Sequence, residues 1–240
     1  MSEKKLSWGI VYSAVGLNYN QEAITSAKSV KRFHPDAKIT IYSDHPKFLE
    51  SKFKNLFHRI RPIDIKPIKI DKYKVAPYAK LQKIKAMSSF PYDITLYLDC
   101  DTKVYKPIKE LFIDAKNPTN PYDIYIANSP KLDKTHRPFR LVSYKRKKAY
   151  NSGVIIYRKN GRVKKLFERW LKKSQADPYI YLKNKGKFYD QPKLVALLNK
   201  SDSDIKLRII PNILYNVRHT MINKMKSENI LKNAKIIHHH

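Results

Sequence analysis

The chain has 240 residues, 42% of them hydrophobic, enough to bury one sizeable core and too few for two full domains. Its 50 Lys and Arg against 20 Asp and Glu give a formal net charge of +30, so nucleic acid, anionic membrane and nucleotide substrates all stay open as partners. A single cysteine, Cys100, excludes an intramolecular disulfide and a Cys-built zinc site; with no signal-peptide pattern and no run of eighteen apolar residues, the chain is expected to be cytoplasmic, soluble or peripheral to a membrane.

Two β-branched and aromatic runs, 8–14 and 38–43, flank a helical segment over 21–33 that must end before Pro35, which makes a βαβ opening. A helix over 46–57, a short strand near 59–63 and a helix from about 78 to 88 are expected next. The strongly apolar strand 94–98 follows, then strands over 122–127 and 154–157. Between the last two lies the basic stretch 131–148, which reads as a loop or lid. Val163, Leu166, Phe167, Trp170 and Leu171 fall on one helical face. Leu194, Val195, Leu197 and Leu198 mark another helix, opening at Asp190-Gln191-Pro192, where Asp suits the cap and Pro the first turn. Short strands over 206–210 and 235–237 close the series. Strands alternating with helices predict an α/β fold with a largely parallel central sheet flanked by helices.

Glycine usage narrows the chemistry. Gly9, Gly16, Gly153, Gly161 and Gly186 are the whole set, so there is neither a P-loop nor a Gly-x-Gly-x-x-Gly cradle, and a bound phosphate must be met by lysines, a helix N-terminus or a metal. Asp99-Cys100-Asp101 ends the most apolar strand, and residues i and i+2 of an extended chain point the same way about 6–7 Å apart. Ligands of open α/β sheets bind beyond the carboxyl ends of strands, where this pair could hold a divalent metal and a diphosphate. A cap or turn role is the other reading, since roughly one Asp-x-Asp is expected by chance and Asp202-Ser203-Asp204 is a second pair in a polar loop. Context separates the two pairs, because a buried strand has no packing reason to deliver paired acids to its end.

Ala79-Lys80-Leu81, Asp99-Cys100-Asp101 after Leu96-Tyr97-Leu98, Asn151-Ser152-Gly153-Val154, Asp190-Gln191 and Lys235-Ile236-Ile237-His238 occur in that order. This series resembles the GT-A nucleotide-sugar glycosyltransferases, especially the retaining, glycogenin-like (family 8-like) enzymes. The resemblance runs from Trp8 to His238 and implies one Rossmann-like GT-A domain over 1–240, with a nucleotide-binding half to about residue 101 and an acceptor half after it. It implies that Asp99, Asp101 and His238 coordinate Mn²⁺ or Mg²⁺ across the donor diphosphate, and that Lys80 contacts donor phosphate or sugar. By the same resemblance, Asn151 contacts the sugar or acceptor, Ser152 and Gly153 belong to the donor-binding residues, and Asp190 and Gln191 sit by the anomeric carbon, these two and Asn151 being the catalytic set. Residues 13–19, with Ala14, Val15 and Tyr19, would hold base and ribose. Cys100 lies within this donor-binding strand end, its own side chain reading as a small buried one on the opposite side. The implied reaction moves a sugar from a UDP-sugar such as UDP-glucose to a hydroxyl of a glycan, protein or lipid.

Plainer roles stand beside these. Lys80 and Lys83 belong to a lysine run whose default is a solvated face; Asn151-Ser152-Gly153 is also a turn into a strand, and Asp190 a helix cap. His238 opens the run His238-His239-His240, where the family continues into Gly and Lys. Two other classes compete: a nucleic-acid-binding protein, favoured by a pI near 10.0 and 17 Tyr, and a metal-dependent nuclease using the Asp pair. No helix-turn-helix, zinc or RNP-like pattern supports the first, and two-metal nucleases need more carboxylates than the Asp pair supplies, so no nucleic-acid partner is expected. Contact with an anionic membrane through the basic stretch stays open.

Overall fold

A computed structural model describes residues 6–63, 75–129, 149–175, 190–200 and 203–239. The basic stretch 131–148, Lys74 and Asp202 lie outside the described residues. The βαβ opening is formed by β1 (Trp8–Ala14), α1 (Leu17–Phe33) and β2 (Ile39–Ser43), with β1 and β2 parallel. Gly16 makes the turn from β1 into α1 at a φ of +94°, in the left-handed region that a side chain resists, and its N–H donates to Asp44 Oδ2 at 2.7 Å. Then come α2 (Pro46–Phe53), β3 (Arg59–Pro62), α3 (Val75–Ser88), β4 (Ile94–Leu98), β5 (Thr102–Val104) and α4 (Lys109–Lys116). The remainder is β6 (Ile124–Asn128), β7 (Tyr150–Arg158), α5 (Gly161–Gln175), α6 (Asp190–Leu198), β8 (Leu207–Ile210), the one-turn α7 (Asn212–Tyr215), α8 (His219–Ser227), a 3₁₀ turn and β9 (Ile236–His238).

One seven-stranded sheet runs in the order β3-β2-β1-β4-β7-β6-β8, and β5 pairs with β9 in a separate ribbon. All pairs in the large sheet are parallel except those made by β7, which is antiparallel to β4 and β6. Side chains alternate across the sheet, so Ile10 and Tyr12 join the α1, α2 and α4 side of the core while Val11 joins the α3, α5 and α6 side. Helix α5 buries Val163, Leu166, Phe167 and Trp170, the face expected from their spacing, at roughly 1.5–3 kcal/mol for each large apolar side chain. A third, smaller cluster holds Val217, Met221, Met225, Ala234 and Ile237 behind the β5–β9 ribbon. Among the described residues no helix is long and apolar enough to cross a bilayer.

The antiparallel strand positions the site. Because β7 runs against β4, with Leu98 opposite Val154, the start of β7 lies beside the carboxyl end of β4. Strand β7 therefore begins at Tyr150, four residues before the expected Val154, and Asn151-Ser152-Gly153 is strand and not a free turn. The register against β6 shifts between Ile126, opposite Ile155, and Ala127, opposite Asn151. That bulge removes Ser152, Gly153 and Val154 from the β6 ladder and turns them towards Asp99, whose N–H donates to Gly153 O at 2.8 Å. Helix α2 stops at Phe53, short of the expected 57, and β5, α4, α7 and α8 have no counterpart in the sequence reading.

Candidate active site

Beyond the carboxyl ends of β1 and β4 opens a cleft of about 1000 Å³, walled by Val15, Tyr19, Lys80, Asp99, Asn151 and Arg218 among others. Asp99, Asp101 and His238 gather on one side, each offering a ligand atom within 4.8 Å of the others. The spacing comes from two directions: the end of β4 supplies the carboxylates, and pairing of Thr102 with His238 across β5 and β9 brings in the imidazole. Two carboxylate oxygens and an imidazole nitrogen fit a hard-to-borderline divalent ion such as Mn²⁺, with coordination positions left for a ligand's oxygens. Gly153 leaves the room: a Cβ there would lie 2.5 Å from His238 Cε1 and 2.7 Å from Asp99 Oδ2. No second group of this kind occurs among the described residues.

His238 is held from both sides. Its Nε2 lies 2.7 Å from Asn216 Oδ1, and its Nδ1 lies 3.2 Å from Asp101 Oδ1 and 3.3 Å from a guanidinium nitrogen of Arg218; because a guanidinium can only donate, that contact corresponds to the tautomer with the proton on Nε2 and the lone pair on Nδ1. Such an outer hydrogen bond fixes the tautomer and ring plane of a metal-ligating histidine. Asn216 is fully buried, and its Nδ2 has no partner among the described residues.

The centre of the site is a lysine that the sequence reading placed on a solvated face. Lys83 is 7% exposed, donates to Asp99 Oδ1 at 2.9 Å and to Ser152 Oγ at 3.2 Å, and lies 3.5 Å from Asp190 Oδ2. Burial alone would lower its pKa, but the two carboxylates outweigh that and hold it above the usual lysine value, so it is charged. Lys80, the lysine expected from the motif, lines the cleft one turn earlier. Burial and Asp99 push the Tyr97 phenol well above its ordinary range, and it donates to Asp99 Oδ1 at 3.1 Å.

Asp190 and Gln191 open α6 within reach of the same lysine. Ser152 Oγ donates to Asp190 Oδ2 at 3.2 Å, and Ser152 N–H to Gln191 Oε1 at 3.1 Å. Asn151 lines the cleft, its Oδ1 accepting from Gly153 N–H at 2.9 Å. Ser13, Val15, Asn18 and Tyr19 also line the cleft, Tyr19 half exposed. Ala14 packs in the core and Asp204 does not line the cleft. Cys100 touches the cleft through a mostly buried thiol that donates to Ser13 O at 3.3 Å. Burial, then Asp99, Glu22 and Asp101, push its pKa well up, so it is a neutral packing group and no thiolate ligand.

The fold and this cleft define an α/β domain of the GT-A glycosyltransferase architecture. The galactosyltransferase LgtC, solved with donor and acceptor sugar analogues, matches at 17% identity over 96% of this chain and 86% of its own, with a TM-score of 0.59. Mouse xyloside xylosyltransferase 1 matches at 15% identity over 96% and 97%, TM-score 0.55. GlyE of Streptococcus pneumoniae matches at 15% identity over 97% of this chain and 55% of its own, TM-score 0.58. No family model matches the sequence, and no curated protein matches it.

Proposed function

We propose that the protein is a metal-dependent glycosyltransferase that moves a sugar from a nucleotide diphosphate, a UDP-sugar such as UDP-glucose, to an acceptor hydroxyl with retention of anomeric configuration. The observation that carries this reading is the convergence of the Asp99, Asp101 and His238 group with Lys83 and Asp190 at the end of β4, inside a cleft large enough for a nucleotide sugar. Structural likeness to glycosyltransferases supports the same class.

Asp99, Asp101 and His238 would hold Mn²⁺ or Mg²⁺, which when bound offsets the negative charge developing on the leaving diphosphate. Lys83, itself charged, orients the carboxylates of Asp99 and Asp190 through its ion pairs with them. Asp190 offers a carboxylate oxygen to the cationic character that grows at the anomeric carbon, and Ser152 fixes that oxygen by its hydrogen bond. Val15, Asn18 and Tyr19, which line the same cleft, would take base and ribose. A glycan, protein or lipid hydroxyl fits the chemistry of the acceptor.

Incubation with a panel of nucleotide sugars and MnCl₂, read by mass spectrometry, tests the proposal. Metal-dependent loss of a UDP-sugar, with DNA and RNA left intact, is expected. Nucleic-acid cleavage without any sugar-nucleotide turnover overturns it.

A further inference from the structure

Residues 216–218 run beside β9: Val217 N–H donates to Ile236 O at 3.1 Å, and His238 N–H to Val217 O at 2.8 Å. Asn216 and Arg218 therefore flank one imidazole. Asn216 Oδ1 accepts from Nε2 at 2.7 Å, and Arg218, at the N-terminal end of α8, places a guanidinium N–H 3.3 Å from Nδ1. Nδ1 is the lone pair that a cation shared with Asp101 would use, since Asp101 Oδ1 is 3.2 Å away. Guanidinium and metal cannot both own it.

We infer that Arg218 is a placeholder for the cation: it holds the His238 lone pair in the metal-free protein and moves to the donor's diphosphate once metal and nucleotide enter. Arg218 also lines the cleft, so a short swing of a long side chain takes its planar fork from a nitrogen to phosphate oxygens, the geometry that guanidinium matches best. The inference rests on the donor-site reading above and assigns a residue to it.

The distinguishing signature is a pair of opposite effects. Arg218→Ala removes a competitor for Nδ1 and a phosphate contact together. Mn²⁺ alone should then bind about two- to fivefold more tightly by calorimetry, while UDP in saturating Mn²⁺ binds about tenfold or more weakly. Arg218→Gln keeps a neutral donor for Nδ1 and should leave Mn²⁺ binding near wild type while losing the same UDP affinity; it decides the matter if the alanine variant is unstable. Mn²⁺ affinity that falls in Arg218→Ala, or UDP affinity that holds in both variants, overturns the inference and leaves the donor site standing. A wild-type protein that binds neither Mn²⁺ nor UDP overturns both.

Discussion

Gly153 lies directly beneath His238, so close that a methyl group on it would stand 2.5 Å from the imidazole Cε1. The site is thus shaped by a missing side chain as much as by the carboxylates around it. Gly153→Ala should displace His238 and Asp99 and weaken Mn²⁺ binding about tenfold or more, because ligand displacements of a few tenths of an ångström exceed the tolerance of coordination. Calorimetry with MnCl₂ checks this, and unchanged affinity would show that the ring does not serve as a ligand.

Lys83 is the counterion of two carboxylates. Lys83→Met leaves Asp99 and Asp190 facing each other with the positive charge removed, and should cost about 2–4 kcal/mol of stability, below the full figure for a buried pair because Asp99 is partly exposed. Part of that loss should return on adding Mn²⁺, which brings positive charge back to Asp99. Urea melts with and without MnCl₂ measure both effects, and an unchanged midpoint would count against the role.

Asp190→Asn should lower transfer well over tenfold while UDP-sugar binding stays within about twofold, since the lost charge acts on the transition state. Stability should largely hold, because the amide oxygen can still accept from Ser152 Oγ and Trp170 Nε1 donates to the backbone oxygen of residue 190. A folded variant with full activity would sink the assignment.

The acid limb of stability should report Asp123, whose carboxylate ties α5 and β8 to β6. It accepts from Arg162 at 2.6 and 2.9 Å, from Asn160 at 2.7 Å and from Lys206 N–H at 2.9 Å. Burial would raise its pKa, but these donors outweigh burial and hold it below the ordinary carboxylate value of 3.8. A depressed folded-state pKa stabilises the fold above the unfolded value and loses that contribution as pH falls through the folded one. Asp123→Asn should therefore cost about 2 kcal/mol at neutral pH, and its gap to wild type should narrow below pH 4. Thermal melts from pH 3 to 7 test the convergence.

The acids at the end of β4 were legible because an apolar strand ending in charge is a local pattern, and Asn151 and Asp190 followed from short motifs around them. Lys83 was not, although it lies one turn after Lys80 and four residues before the buried Met87, on the face that helical spacing assigns to the interior. A lysine run hides a member whose charge is satisfied by residues far along the chain. Asn216 and Arg218 carried no signal at all, since what matters about them is a bridge to β9 that only tertiary structure creates. The early start of β7 was missed because Asn-Ser-Gly has turn chemistry, and a bulge opposite β6 is a property of two strands and not of one.

The ligand group joins residue 99 to residue 238, and so its occupancy is also a statement about chain closure. Segment 217–239 has its own small cluster of Val217, Met221, Met225, Ala234 and Ile237, and is tied to the rest through the β5–β9 ribbon and His239 N–H on Asp101 O. An ion gripping Asp101 and His238 at once acts as a clasp on that segment. At a hundredfold excess over its dissociation constant it would add about 2.7 kcal/mol to docking. Metal supply would then govern how often the last elements open, making resistance of α8 and β9 to proteolysis a readout of ion occupancy that needs neither donor nor acceptor.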